Sequence, residues 1–133
     1  MILDTSAVVA ILFGEPEAAA YMQMIHAADR LLMSAGNFLE LSFVIESQAG
    51  AEAGRQSDLF FRRAGIVVVS FSPRQARVAQ QAFRDFGKGR HPAGLNFGDC
   101  FAYALAKVTG DPLLFKGDDF SKTDITPAVS ATR

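Results

Sequence analysis

Short apolar runs that are typical of strands alternate along this chain with longer segments patterned as helices. The strand-like runs occupy residues 2–3, 31–35, 66–69 and 113–115, and a weak further strand is expected near Ile125. Strands that alternate with helices are joined by right-handed crossovers, so they pair in parallel and carry helices on both faces of the sheet. Residues 66–69 are continuously β-branched, which is typical of a strand covered on both faces. The pattern therefore predicts an α/β fold with a central parallel sheet.

Capping and breaking residues delimit the helical segments. The predicted helices cover residues 7–12, 17–28, 38–50, 56–63, 73–86 and 99–108, and the expected N-caps are Thr5 or Ser6, Asn37, and Asn96. A break is expected over residues 50–54, and a glycine-rich loop over 87–98. In the helix that Pro73 opens, Ala76 and Phe83 belong to the face expected to point inward.

Composition and length bound the class of protein. The chain has 133 residues and a net charge of −1, with 50% hydrophobic and 20% charged residues, which is typical of one folded domain over residues 1–133. The single cysteine, Cys100, excludes an internal disulfide and a cysteine-based zinc cluster, and the two histidines share no ligand spacing. No segment has the character of a signal peptide or of a membrane span, so a soluble cytoplasmic protein is expected.

Acidic residues stand at four stations that such a fold brings to one edge of the sheet. Asp4 ends the first strand, Glu40 lies about one turn into a helix, and Asp99 starts another helix. Asp118 and Asp119 follow the last strand-like run. Sites in parallel α/β folds lie beyond the carboxyl ends of the strands, and carboxylate oxygens suit hard divalent cations. The sequence therefore predicts an oxygen-ligand site for one or two Mg²⁺ or Mn²⁺ ions.

Each acid also has a purely structural interpretation. Asp4 would be an ordinary N-cap, and Glu40 would lie on the exposed edge of an amphipathic helix. Asp99 would complete a capping box with Asn96, and the adjacent aspartates after Gly117 are typical of a surface turn. The expected convergence of the acids on one rim is what favours chemistry over these separate roles.

Four ordered motifs resemble the PIN-domain family, and more narrowly the VapC toxins of bacterial toxin–antitoxin pairs. They are MILDTSA at residues 1–7, FLE at 38–40, LNFGDC at 95–100 and LFKGDDF at 114–120, so the resemblance covers essentially the whole chain. It implies a metal-dependent ribonuclease built as a three-layer α/β/α sandwich. It also implies a protein that is usually dimeric and is inhibited by a cognate VapB antitoxin.

The resemblance assigns roles to individual residues. The implied core acids are Asp4, Glu40 and Asp99. Ser6 is implied as the small hydroxyl residue and Asn96 as a residue that shapes the site. The family pattern places a fourth acid before an aromatic residue, which favours Asp119 as a catalytic residue and leaves Asp118 open as a metal ligand.

The implied reaction is hydrolysis of an RNA phosphodiester by a metal-activated water, which requires no protein nucleophile. The basic cluster at Arg84, Lys88 and Arg90, or Arg74, would contact phosphates, although such a cluster is also typical of a solvated helix end. Two rival functions are open. An aspartyl-phosphate type phosphatase would need a second acid two residues after Asp4, where this chain has serine. A PIN-like module without catalysis would bind partners only.

Overall fold

Helices and strands alternate along the chain in the computed structural model, which describes residues 1–128. In chain order they are β1 (Ile2–Leu3), α1 (Thr5–Leu12), α2 (Ala18–Ala27), β2 (Leu31–Ser34), α3 (Ala35–Ala64), β3 (Ile66–Val69), α4 (Pro73–Phe86), α5 (Phe97–Thr109), β4 (Leu113–Leu114) and a 3₁₀ helix (Phe120–Lys122). The strands pair in parallel in the order β3-β2-β1-β4. The predicted α/β fold is confirmed. The predicted domain extends to residue 133, and its last five residues lie outside the described part.

Neighbouring residues of each strand enter two separate hydrophobic clusters. Ile2 and Leu113 pack in a cluster with side chains of α4 and α5, whereas Leu3 and Leu114 pack in a cluster with side chains of α1, α2 and α3. Successive side chains of a strand point to opposite faces of the sheet, so each strand supplies both clusters. Helices therefore cover the sheet on both faces, which is the three-layer arrangement that the resemblance implies.

The long helix α3 begins earlier and runs further than the sequence pattern predicts. Ser34 caps it, with its Oγ accepting a hydrogen bond from Gly36 N at 3.3 Å, so the prediction that Asn37 is the cap is wrong. Asn37 lies inside the first turn and its side chain is buried. The predicted break is confirmed at Gly50, whose φ of 85° and ψ of 177° are not helical and divide α3 into two helical segments, while residues 51–54 are already helical.

The β-branched strand β3 lies at the edge of the sheet, where it pairs with β2. Val67 and Val68 are 56% and 41% exposed, so the prediction of a strand covered on both faces is wrong. Branched side chains favour the extended backbone wherever they stand. Their run therefore predicts a strand correctly and says little about what covers it.

Two further regions differ from the predicted pattern. On α4, Ala76 and Phe83 are exposed although the pattern places them on the inward face, because α4 packs on α5 through Ala82 and leaves that neighbouring stripe open. Near Ile125 the chain joins the sheet through a single bridge between Leu113 and Pro127 rather than a full strand. Among residues 1–128, no helix combines the length and the apolar character that crossing a bilayer requires.

Candidate active site

Asp4 stands where β1 turns into α1, and it is the N-cap of that helix. Its Oδ2 accepts hydrogen bonds from Ser6 N at 3.0 Å and from Ser6 Oγ at 2.6 Å, so the expectation that Thr5 or Ser6 caps α1 is wrong. Asp4 is only 5% exposed. Burial raises the pKa of its carboxyl to about 6, the nearby charge of Glu40 adds to this, and the hydrogen bonds from Ser6 oppose it.

Ser6 connects Asp4 to the segment that carries the last pair of acids. Its Oγ donates to Asp4 and accepts from the backbone N–H of Lys116 at 3.0 Å. Lys116 stands just after β4 and just before Gly117 and the two aspartates, and its Nζ pairs with Glu15 at 2.5 Å. The serine hydroxyl thus links the carboxyl end of β1 to that of β4.

Glu40 reaches the same rim from α3, where Thr5 is its hydrogen-bond partner. Thr5 Oγ1 donates to Glu40 Oε1 at 2.6 Å in a partly buried contact, and it lies 3.3 Å from the backbone oxygen of Asn37. The carboxylate also lies against the start of α5, because a methyl group built on Gly98 would overlap Glu40 Oε2. The absence of a side chain at Gly98 is therefore what gives Glu40 its place.

Asn37 ties α3 to the start of α5. Its side chain is fully buried, and its Nδ2 donates to Gly98 O at 2.9 Å. Its Oδ1 is buried and has no hydrogen-bond partner within residues 1–128. Because Gly98 precedes Asp99 and Asn37 lies one turn before Glu40, this bond sets the spacing between the two helix segments that carry these acids.

Asp99 lies in the first turn of α5, in the capping box that the sequence suggests. Its Oδ2 accepts from Asn96 N at 3.0 Å, and Asn96 Oδ1 accepts from Asp99 N at 2.9 Å. The pKa of the Asp99 carboxyl is raised to about 7, mainly by burial and with smaller contributions from the charges of Asp4 and Asp119, while the hydrogen bond from Asn96 N opposes the rise. An acid in a capping box ordinarily gains stability in its ionised form. Here burial and the neighbouring acids outweigh that gain.

The structure distinguishes the two adjacent aspartates by their neighbours. The charge of Asp119 contributes to raising the pKa of Asp99. Both aspartates are exposed, and the backbone oxygen of Asp118 accepts from Ser121 Oγ at 2.6 Å. The electrostatic influence on Asp99 thus favours Asp119 as the fourth acid, and Asp118 shows only the turn contact that a surface interpretation expects.

The four carboxylates of Asp4, Glu40, Asp99 and Asp119, called the row below, influence one another electrostatically. The charge of Glu40 raises the pKa of Asp4, and the charges of Asp4 and Asp119 raise the pKa of Asp99. Within residues 1–128, no group of three or more His, Cys, Asp or Glu side chains is gathered closely enough to hold a metal ion. The donors are nevertheless all carboxylate oxygens, which suit a hard divalent cation, and a cation would favour the ionised forms that burial disfavours. Completing a coordination shell would require these side chains to close further.

The predicted phosphate-binding cations belong to α4 and to the loop that leads to α5. Arg84 is exposed on α4, and Lys88 and Arg90 are exposed in the loop that follows. Lys88 N donates to Leu95 O at 2.9 Å, which places the loop next to Asn96. The ion pairs within the described residues involve none of these three cations. They therefore form a basic margin next to the start of α5.

Sequence reasoning missed the roles of three residues. Thr5 and Asn37 are interpreted from sequence as helix caps. In the structure Thr5 instead donates to Glu40, and Asn37 donates to Gly98 at the start of α5. Gly98 gives no signal beyond its position before Asp99. The available hint is that all three stand within three residues of a predicted acid, although only the folded chain shows that they meet one another.

A known protein family and two of its members match almost the whole chain. The family model for the PIN domain matches residues 1–125. Ribonuclease VapC30 of Mycobacterium tuberculosis is 50% identical over 125 residues, covering 94% of this chain and 95% of the relative. Ribonuclease VapC of Mycolicibacterium smegmatis is also 50% identical over 125 residues, covering 94% of this chain and 97% of the relative.

Two solved structures share the fold at low sequence identity. VapC20 of Mycobacterium tuberculosis, described as a sarcin-ricin loop cleaving toxin, superposes with a TM-score of 0.76 at 13% identity, over 96% of this chain and 97% of that one. VapBC2 of Rickettsia felis, bound to a promoter DNA fragment, gives a TM-score of 0.74 at 14% identity, over 96% of both chains. The matched family model and the close relatives show that this chain belongs to the PIN-domain family, among its VapC ribonucleases.

Proposed function

We propose that the row formed by Asp4, Glu40, Asp99 and Asp119 is the catalytic site at which this chain hydrolyses RNA phosphodiester bonds. The observation that supports it is the mutual influence of these acids at the carboxyl ends of β1 and β4. The carboxyls of buried Asp4 and partly buried Asp99, with pKa values raised to about 6 and 7, lower the stability of the fold at neutral pH. Strongly perturbed acids gathered at a rim are typical of functional sites.

A divalent cation fits the donor set. Nucleases of the VapC group in the PIN-domain family generally depend on divalent metal, and for this chain we propose Mg²⁺ or Mn²⁺, as one or two ions. Asp4, Asp99 and Asp119 would hold it, with Glu40 beside them and Asp118 as the alternative fourth ligand. When bound, such an ion makes a water more acidic and neutralises charge on the phosphate.

The chain's own residues orient the acids and the RNA. Ser6 and Thr5 fix one oxygen each of Asp4 and Glu40, which leaves the other carboxylate oxygens outside those bonds. Asn96 shapes the rim through the capping box. The Cys100 thiol is buried and its pKa is raised to about 11, mainly by burial, so it stays protonated at neutral pH and does not serve as a nucleophile.

The basic margin is proposed to hold the RNA backbone. Arg84, Lys88 and Arg90 are exposed, and phosphate contacts release counterions. We expect affinity for single-stranded RNA to fall as salt rises from 50 to 200 mM, by roughly tenfold or more for three contacts. Fluorescence anisotropy measures this, and replacing all three by glutamine should flatten the slope. An affinity independent of salt would contradict the assignment.

The biological setting is proposed by likeness to relatives. VapC-type chains are named as partners of VapB in solved complexes, such as VapBC2 of Rickettsia felis. We propose that this chain is likewise the toxin of such a pair, bound by a VapB-type antitoxin, and that it forms a homodimer. The phosphatase alternative loses ground, because Ser6 occupies the position of the required second acid and donates to Asp4.

The direct test is cleavage of total RNA by variants that keep the shape of each acid. Asp4→Asn, Glu40→Gln and Asp99→Asn should each lower the cleavage rate by about a hundredfold or more, since each removes a charge in direct reach of the ion or phosphate. Matched controls are Asp58→Asn and Glu46→Gln, which change acids on α3 outside the row. Circular dichroism verifies the folds. Wild-type rates in two of the three site variants, with Mg²⁺ or Mn²⁺ present, would end the proposal.

A further inference from the structure

An apolar groove lies between α4 and α5 and reaches the first turn of α5. Its volume is about 470 Å³, and its lining includes Phe71, Phe83, Phe97 and Phe101, with Cys100 in its floor. Phe97 is the first residue of α5 and is 81% exposed. A phenylalanine that stays in water forgoes the stabilisation that burial of its ring would give. The proposed role of the acid row gives no reason for Phe97 to remain exposed.

The aromatic rings of the groove are held in place by one another. Phe97 and Phe101 meet edge to face with ring centroids 4.9 Å apart, and Phe71 meets Phe101 in the same way at 4.6 Å. Edge-to-face packing uses the rim of one ring against the face of the other, so it fixes ring orientation while part of each ring stays uncovered. The groove is therefore a rigid aromatic surface.

Three observations indicate what occupies the groove. Phe97, Cys100 and Phe101 belong to the first turns of α5, the helix whose first turn carries Asp99, so the groove lies at the end of α5 that bears an acid of the row. The cation Arg90 stands 5.1 Å over the Phe83 ring at the groove's margin. None of the residues that line the groove is charged. The surroundings are thus basic at the edge and aromatic inside, as in sites for single-stranded nucleic acid.

The size of the groove fits a base. Its volume of about 470 Å³ falls in the range of roughly 300–1,000 Å³ typical of small-molecule sites. Gln80, which also lines it, offers an amide that can donate to and accept from the edge of a base.

We propose that this groove is a base-stacking subsite, in which Phe97 and Phe101 hold an unpaired base of the RNA next to the phosphate that is cut. The subsite rests on the proposed ribonuclease site and adds a specificity element to it. It selects unpaired RNA at that position, because a base in a duplex cannot leave its stack to enter the groove without a cost in free energy.

The test measures RNA binding apart from cleavage. Short single-stranded RNAs, each with one 2-aminopurine at a different position, are titrated into the Asp4→Asn chain with and without Phe97→Ala. Phe97→Ala should weaken binding by about tenfold, the loss of one base stack, and should abolish the fluorescence change at a single position. Phe97→Trp should restore both signals. Phe43→Ala, which removes another exposed phenylalanine that does not line the groove, should change neither.

An RNA that lacks the base at that position completes the test. It should bind the parent chain about tenfold more weakly and should bind Phe97→Ala with no further loss. Equal RNA affinity of Phe97→Ala and Phe43→Ala would overturn the proposal. So would a Phe97→Ala chain that loses self-association or antitoxin binding while its RNA affinity is unchanged. Persistent cleavage by the Asp4→Asn chain would count against the acid assignment alone, because stacking is read from binding.

Discussion

The two ends of the sheet hold their aspartates in opposite ways. At the amino ends of the strands, Asp111 accepts from Arg30 Nε at 2.9 Å and lies 3.5 Å from the terminal ammonium of Met1. The Arg30 hydrogen bond is the largest cause that lowers the pKa of the Asp111 carboxyl. At the carboxyl ends, Asp4 and Asp99 have hydroxyl, backbone and carboxylate neighbours, and their pKa values rise.

This difference separates the charge of Asp111, which the fold uses, from the charges of the rim acids, which we propose serve catalysis. An acid that serves the fold has its charge neutralised by the chain itself, as Asp111 has. The acids of the rim repel one another and are partly buried, so the folded chain alone leaves them uncompensated. A missing positive charge is what a divalent cation would provide.

A substitution at Gly98 moves the rim acid Glu40 without removing its charge. Gly98→Ala places a methyl group where Glu40 Oε2 lies, so the carboxylate must shift while its charge remains. We expect RNA cleavage to fall by roughly 10–100-fold, the usual effect of disturbing a group that orients a metal site. Helix α5 should persist, because alanine favours helix more than glycine does.

A second glycine near a glutamate supplies the matched control. A methyl group at Gly54 would lie 3.1 Å from Glu46 Cγ, on a flexible surface side chain. Gly54→Ala should leave cleavage unchanged. If both variants kept the wild-type rate, the position of Glu40 would not matter and the row would lose one of its members.

The smaller expected effect concerns stability, and its sign differs between the two ends of the sheet. The Asp99 carboxyl has a pKa of about 7 in the folded chain against an ordinary value of 3.8, so the native state binds extra protons between these values and stability falls as pH rises through them. Asp99→Asn removes that loss. Above pH 7 we expect its Tm to exceed that of the wild type by about 3–5 °C, allowing for solvent screening, with the difference vanishing near pH 4.

Asp111→Asn should do the reverse. Its folded pKa is lowered, so its stabilising contribution is present above its unfolded pKa and is lost as pH falls. The variant should melt below the wild type at pH 7 and should match it in acid. Thermal melts of both variants across pH, without metal, provide the measurement. Stabilisation by Asp111→Asn, or destabilisation by Asp99→Asn, would show that the two ends do not differ as described.

Local signals in the sequence predict most of the fold. Alternating strand and helix patterns give the parallel sheet, and the capping box at Asn96 and Asp99 is correctly predicted. Errors arise where a local pattern has more than one tertiary outcome. A β-branched run such as that of β3 forms a strand in either an edge or a central position of the sheet. A polar residue near a helix start either caps the helix or forms a buried hydrogen bond to another element, as Asn37 does with Gly98.

The site is predictable only in part for the same reason. The acids can be found from their positions after strands and at helix starts, because topology brings those points to one edge. The contacts between Thr5 and Glu40 and between Asn37 and Gly98 join residues 35 and 61 positions apart. Such pairings follow from how the helices pack, which no local pattern encodes. The exposed face of α4 at Phe83 is hidden from sequence in the same way.

Calorimetric titration of Mn²⁺ tests most directly whether the rim acids together hold a divalent cation. At pH 6.5 in two buffers of different ionisation enthalpy, the wild type should bind the ion and release protons, because Asp4 and Asp99 are then partly protonated. Asp99→Asn should weaken binding by more than about tenfold, and Asp111→Asn should leave it unchanged. Absence of Mn²⁺ binding by the wild type would contradict the account. Binding by Asp4→Asn and Asp99→Asn with the affinity of the wild type would contradict it as well.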